Sequence, residues 1–134
     1  MKKVVVFGLS ALLMEPVSAA IHRYVGHGPG WTVHRSHHEG AVSGLEANDT
    51  IPAVSAVATI GLFLLAITSP SRRWLFPVAS GVTAYGAAYF VVHDLYTHRR
   101  IPVLPRHVPV LERFRLTHLE HHHLERGHWG IFWS

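Results

Sequence analysis

Thirteen histidines in a chain of 134 residues, with no cysteine, define the chemistry open to this sequence. Ten of them form a pattern that occurs twice. His22 and His27 make an H-x4-H pair, and His34, His37 and His38 make an H-x2-H-H triplet. After a gap, His93 and His98 repeat the pair, and His118, His121 and His122 repeat the triplet. Neutral imidazole is the commonest metal ligand. Ten in two matched groups exceed what one ion takes, so the economical reading is a two-metal centre with about five nitrogens per ion. His107, His123 and His128 stand outside the pattern and are read as non-ligands. His123 directly follows two ligands and points elsewhere on a helix, and His107 lies in the proline-rich loop Pro102–Pro109.

The missing cysteine excludes a disulfide scaffold, a thiolate zinc site, an iron–sulfur cluster and a cysteine nucleophile. The carboxylates near the histidines are Glu39, Glu46, Asp49, Asp94, Glu112, Glu120 and Glu125. They fit neither the two-His-one-carboxylate pattern nor the Glu-x-x-His motif of soluble di-iron bundles. A nitrogen-rich site suits zinc, copper, iron or nickel, and the residues leave that choice open.

Spacing dictates how the ligands must be carried. Residues at i, i+3 and i+4 share one face of an α-helix, so each H-x2-H-H triplet points three rings the same way. Residues five apart are separated by about 140° and cannot converge from a regular helix. The H-x4-H pairs therefore require a helix end with a π-bulge, or a helix running into a loop. Gly28-Pro29-Gly30 after His27, and Pro102 and Pro105 after His98, supply breaks.

The elements that carry these ligands are membrane spans. Apolar residues make up 49% of the chain and charged residues 15%, against roughly 25% in an ordinary soluble domain. Val4–Ile21 is broken only by Glu15 and Pro16, and Ile51–Ser69 and Trp74–Val92 carry no charge. Each approaches the ~20 residues that cross a bilayer as a helix. The expected fold is all-α: an integral membrane bundle of three to four spanning helices, with a histidine-rich metal-binding cap on one side, in a single domain over residues 1–134. Lys2-Lys3, an apolar run and Val17-Ser18-Ala19 also resemble a signal peptide. The reading preferred is a retained first helix, because it runs directly into His22. Three spans at these positions put all thirteen histidines on one side. That side carries Arg23, Arg35, Arg99, Arg100, Arg106, Arg113, Arg115 and Arg126, against Lys2, Lys3, Arg72 and Arg73 opposite. The positive-inside rule then places the histidines in the cytoplasm of a multi-pass cell-membrane protein.

The four boxes, with the words HRYVGHGPGW, HRSHHEG, LEANDT, TAYGAAYFVVHDLYTHRRIP and RLTHLEHH, resemble the membrane histidine-box superfamily of fatty-acid hydroxylases, sterol oxidases and desaturases. Within it the chain is most similar to the bacterial β-carotene hydroxylases, over about Met14 to Arg126. The resemblance implies two non-haem iron ions, O2 as oxidant and electrons from a ferredoxin-type donor. It also implies C3 hydroxylation of a carotenoid β-ionone ring, with the substrate arriving from the lipid phase. Relatives commonly carry a longer tail than one ending at Ser134, which puts in question any pocket wall or donor contact such a tail supplies. Nitrogen ligands bind zinc more tightly than ferrous iron, so zinc or mixed metal is expected on purification. Neighbouring readings are a C4 ring oxygenase and a fatty-acyl or sterol hydroxylase. A reading of another class is a non-enzymatic membrane metal or haem electron carrier. No nucleic-acid partner is expected.

Other residues carry narrower expectations. Asp94 follows His93 and is placed to hold a ligand's second ring N–H. Glu15, the only ionisable residue within a span, lies nearly under His22 on one helix face, as a proton donor, a substrate contact or a carboxyl bonded near the Pro16 kink. Asp49-Thr50 before Ile51-Pro52 reads as a helix N-cap. Trp74, Tyr85, Tyr89 and Phe90 read as membrane packing or interface anchors. The small residues between Ala79 and Ala88 permit close helix packing or leave a groove for a thin polyene.

Overall fold

The computed structural model describes residues 1–39, 44–124 and 128–133. Among them the chain is helical, without strands. α1 spans Lys2–Ala20, α2 Trp31–Glu39, α3 Thr50–Thr68, α4 Leu75–Phe90 and α5 Pro109–Leu124. α1 continues into a π-helical turn at Ile21–Gly26, and α4 into another at Val91–Thr97. Three continuous helical stretches are long and apolar enough to cross a membrane: Lys2–Gly26, Ala47–Thr68 and Leu75–Thr97. These are the three spans read from hydropathy. Glu125 and Arg126 lie outside the described residues.

α4 is the central span. It packs against α1 on one side and α3 on the other, while α1 and α3 turn most of their surface outward. That outward face carries Val4, Leu12 and Leu13 of α1 and Val54, Val57 and Ile67 of α3, as a helix facing lipid tails requires. Small residues let α4 sit close to α1. A Cβ added at Gly81 would lie 2.5 Å from the Phe7 carbonyl oxygen and 2.8 Å from Ser10 Cβ, and Ala79 is fully buried. Gly86, on the same helix, has nothing within 4 Å of an added Cβ. The small-residue stripe thus does both things expected of it: Gly81 closes a helix contact and Gly86 borders open space.

The turn Pro70–Arg72 joins α3 to α4 on the side opposite the histidines. On the histidine side, α2 and α5 pack across the ends of α1 and α4, and the short turn Ala47–Asp49 leads into α3. Asp49 does not cap α3 with its side chain. Its carboxylate turns back to the Glu46 N–H at 2.9 Å and out to Arg100.

Gly81→Val should lower the thermal midpoint of the detergent-solubilised protein, through an overpacking cost of about 1–3 kcal/mol. Gly86→Ala should leave that midpoint within error. Equal midpoints for the two variants would refute the close α1–α4 contact.

Candidate metal centre

Each H-x4-H pair sits where a span leaves α-helical bonding. The His27 N–H donates to the His22 carbonyl at 3.0 Å, and the His98 N–H to the His93 carbonyl at 2.9 Å. These five-residue bonds are the signature of a π-turn. They close over each pair and bring its rings to 5.1 Å and 4.7 Å between centroids. Of the two routes the spacing left open, a π-bulge and a helix running into a loop, both boxes take the π-bulge. The chain then turns sharply at Gly28, where a Cβ would collide with the Tyr24 carbonyl oxygen.

The triplets lie on α2 and α5. Nε2 atoms of His34 and His38 are 3.1 Å apart, and those of His118 and His122 are 2.9 Å apart. The rings collect into two sets. His22, His27, His34 and His38 place one nitrogen each within 4.8 Å of one another, and so do His37, His93, His98 and His118. His121 joins the first set, with its Nε2 3.1 Å from that of His27. His122 joins the second through His118 and through a ring contact of 4.9 Å with His98. The middle histidine of each triplet therefore crosses over: His37 of the first triplet meets the second pair, and His121 of the second triplet meets the first. Helix geometry explains the exchange. Positions i and i+4 lie about 40° apart, whereas i+3 and i+4 lie about 100° apart, so the middle ring faces a different neighbour. His38 and His122 stack at 4.2 Å on the seam between the sets.

The donor set fits a pair of metal ions. Imidazole nitrogens that share one ion at about 2.0–2.1 Å and stand at right angles lie about 3 Å apart, which matches the Nε2 separations. The Nε2 atoms of His22 and His37 are buried without a hydrogen-bond partner among the described residues. Their Nδ1 sides are turned elsewhere. His22 Nδ1–H donates to the Trp129 carbonyl at 2.8 Å and His34 Nδ1–H to Asn48 Oδ1 at 2.8 Å. His93 Nδ1–H donates to Asp94 Oδ2 at 3.1 Å, and His37 Nδ1 faces Glu46 Oε2 at 3.5 Å. The hydrogen-bonded partners of His22, His34 and His93 fix those rings and present Nε2 as the ligating atom.

The environment keeps six of the rings outside the spans neutral, the form that binds metal. Burial, reinforced by neighbouring imidazoles, holds His38 and His98 at about 3 and His122 at about 2. The same causes lower His34, His37 and His118.

Asp94 stands where the sequence suggested, and its other oxygen meets Arg100 at 2.9 Å. Glu15 is buried, with 3% of its surface exposed, and faces the C-terminal segment. Its carboxylate accepts from Tyr85 Oη at 2.8 Å and from the N–H groups of Phe132 and Trp133 at 2.7 and 3.0 Å. It thereby anchors the strip of chain whose Trp129 carbonyl holds His22. Glu46, Asn48 and the Trp129 carbonyl were not singled out by sequence reasoning. Only the nearness of Glu46 and Asn48 to the second box hinted at them. Tyr89, read as packing, stacks on His93 at 4.7 Å. His107, His123 and His128 are exposed and outside both sets.

A cavity of about 750 Å³ lies between α1, α3 and α4. His22, His34, His37 and His93 form one end, with Tyr89 beside them; Ser55, Ala56 and Thr59 of α3 face Thr83, Gly86 and Ala87 of α4 along its walls. Both histidine sets thus border one space, of a size typical for ligand sites.

The chain is 39% identical over 121 residues to a β-carotene hydroxylase of Paracoccus sp. (strain N81106 / MBIC 01143), covering 87% of this chain and 72% of that one. It is 39% identical over 113 residues to the β-carotene hydroxylase of Pantoea ananas, covering 81% and 62%. It is 34% identical over 116 residues to the chloroplastic β-carotene 3-hydroxylase 2 of Arabidopsis thaliana, covering 84% and 38%. The chain therefore spans about three-fifths to three-quarters of the bacterial relatives' length. No family model matches the chain, and no solved structure does.

His121→Ala should lower bound metal measured by mass spectrometry of the purified protein, and His123→Ala should leave it unchanged; equal effects would break the division between ligand and bystander in the last box. Metal-free protein should lose stability as the pH falls from 6.5 toward about 3. In that window the unfolded chain binds protons that the caged histidines refuse, so acid favours unfolding. A melting temperature that is flat from pH 7 to 4 after chelation would contradict the neutral cage.

Proposed function

The chain belongs to the β-carotene hydroxylase family, and on that premise we propose that it is an O2-dependent monooxygenase acting on the β-ionone ring of a carotenoid. The observation that supports this reading best is the meeting of ten imidazoles, in two interleaved sets, at the end of an apolar cavity between membrane spans. His22, His27, His34, His38 and His121 hold one iron ion, and His37, His93, His98, His118 and His122 hold the other. The irons supply the oxygen-activating redox chemistry that no side chain offers for an unactivated C–H bond. In the net reaction a ring C–H becomes C–OH, and the second oxygen atom leaves as water. Two electrons from a ferredoxin-type donor and two protons complete the balance.

The residues of the chain bind, orient and exclude. The gap between α1 and α3, both packed on α4, admits a long polyene sideways from lipid. The small residues Gly86, Ala87, Ser55 and Ala56 leave room for a flat ring and the start of its chain, and Tyr89 presents an aromatic face beside His93. His22, His34, His37 and His93 bring both histidine sets to the cavity, so the ring carbon nearest them is the one hydroxylated. By analogy with the chloroplastic relatives named as 3-hydroxylases, that carbon is C3, and the product of two turnovers is zeaxanthin. The arginine excess on the histidine side supports a cytoplasmic cage, within reach of a soluble donor.

Expression in a bacterium engineered to accumulate β-carotene, with a ferredoxin and its reductase supplied, should convert the pigment to 3-hydroxylated products. Unchanged β-carotene would defeat the assignment. Gly86→Leu fills the cavity without touching the cage, so it should cut carotenoid turnover at least tenfold while bound metal stays at the wild-type level. Full turnover in that variant would move the substrate out of this cavity.

A further inference from the structure

The cavity beneath the cage is a trough that runs with the spans. Its lining positions on α3, Ile51, Ser55, Thr59 and Phe63, recur every four residues and so share one helix face. Ile51 and Phe63 lie twelve residues apart, about 18 Å at the rise of an α-helix. α4 lines the trough antiparallel to α3, from Val82 at the deep end to His93 at the cage, and α1 lines it from Met14 to His22. Three spans therefore agree on one long axis, which is the axis on which they cross the membrane.

The two ends of the trough differ in chemistry. His22, His34, His37 and His93 close the upper end. Met14, Ile60, Phe63 and Val82 line the lower end, and among the described residues no histidine or carboxylate stands there. Below that end the bundle shuts. Phe63 meets the Phe76 ring edge-on at 5.2 Å, and Gly81 packs against the Phe7 carbonyl. A rod longer than the trough must leave it through the gap between α1 and α3, into lipid.

A carotenoid with a ring at each end is such a rod. It is about as long as the hydrocarbon core is thick, ~30 Å. With one ring at the cage, the trough encloses little more than half of the molecule, and the far ring stands in the opposite leaflet. The closed floor and the length of the rod prevent the rings from exchanging places inside the trough. Copies of the chain inserted the same way carry their cages on the same side, so a neighbouring copy offers the far ring no metal either.

Resting on the carotenoid reading above, we infer that the trough is a subsite that holds the polyene upright, and that the two rings are hydroxylated in separate binding events with the substrate inverted between them. Each event converts one ring C–H to C–OH with one O2, two electrons and two protons, and releases one water. The singly hydroxylated carotenoid then leaves into lipid. Its free ring reaches the cage only after the new hydroxyl has crossed to the other leaflet. That crossing takes a hydroxyl through hydrocarbon without a hydrogen-bond partner, which is unfavourable, so the singly hydroxylated species accumulates first.

A chase with the wild-type enzyme tests this. Iron-loaded protein in lipid vesicles, with a ferredoxin and its reductase, receives isotopically labelled β-carotene and about a tenfold excess of unlabelled singly hydroxylated carotenoid. Mass spectrometry reads the ratio of labelled doubly to labelled singly hydroxylated product. The excess should lower that ratio about tenfold, because the labelled intermediate mixes with the pool before its second turnover. A ratio that the excess does not move would overturn the inference. Val82→Trp and Ile60→Trp fill the deep end from opposite walls, and each should raise KM for β-carotene at least tenfold while bound metal stays at the wild-type level. An unchanged KM in both variants would remove the upright subsite. No hydroxylated product from the wild-type enzyme would instead sink the carotenoid reading on which the inference rests.

Discussion

Two backbone hydrogen bonds, His27 N–H to His22 O and His98 N–H to His93 O, are the constraint from which the rest of the cage follows. A regular helix would swing the second histidine of each pair about 140° away from the first. The π-turn removes that divergence at the end of a span, where the chain is about to leave the bilayer. The spans of α1 and α4 thereby each deliver two nitrogens to the cap, and α2 and α5 need only lay their triplets across the top. The glycine turn after His27 is part of the same device, since a side chain at Gly28 would collide with the π-turn's own carbonyls.

A bundle built this way gains little from a conventional core. The spans expose most of their apolar surface, and α4 alone is sandwiched. Lipid, not protein, solvates that surface, so stability inside the membrane comes from close helix contact at positions such as Gly81. The polar work is concentrated at one end. There desolvation and mutual repulsion oppose protonation of His37, His38, His118 and His122. Arg100 neutralises Asp49 and Asp94, and Glu15 is satisfied by a hydroxyl and two backbone N–H groups.

Glu15 also shows how a membrane-buried carboxylate can serve a candidate metal site without entering it. Its bonds to Phe132 and Trp133 hold the C-terminal segment against α1, and that segment returns the Trp129 carbonyl to His22, 107 positions earlier in the chain. The cost of burying an ionisable group is offset by fixing a long-range contact that a flexible tail would not keep.

The sequence by itself determined the three spans, the side on which the histidines gather, which ten belong to the pattern and the need for each H-x4-H pair to leave regular helix geometry. These follow from hydropathy and from helical periodicity, which are local properties of the chain. It also placed Asp94 beside His93, because the two are adjacent. The partition of the ten rings was decided only by tertiary structure. Periodicity says that His34, His37 and His38 share a face, but not that His37 leaves its neighbours for His93 and His98 while His121 crosses the other way. The partners Glu46, Asn48 and Trp129, and the turn of Glu15 toward the C-terminal strip, were likewise out of reach. Each depends on which helix faces meet, and that is set by how α2, α5 and the spans pack around the cavity rather than by any spacing along the chain.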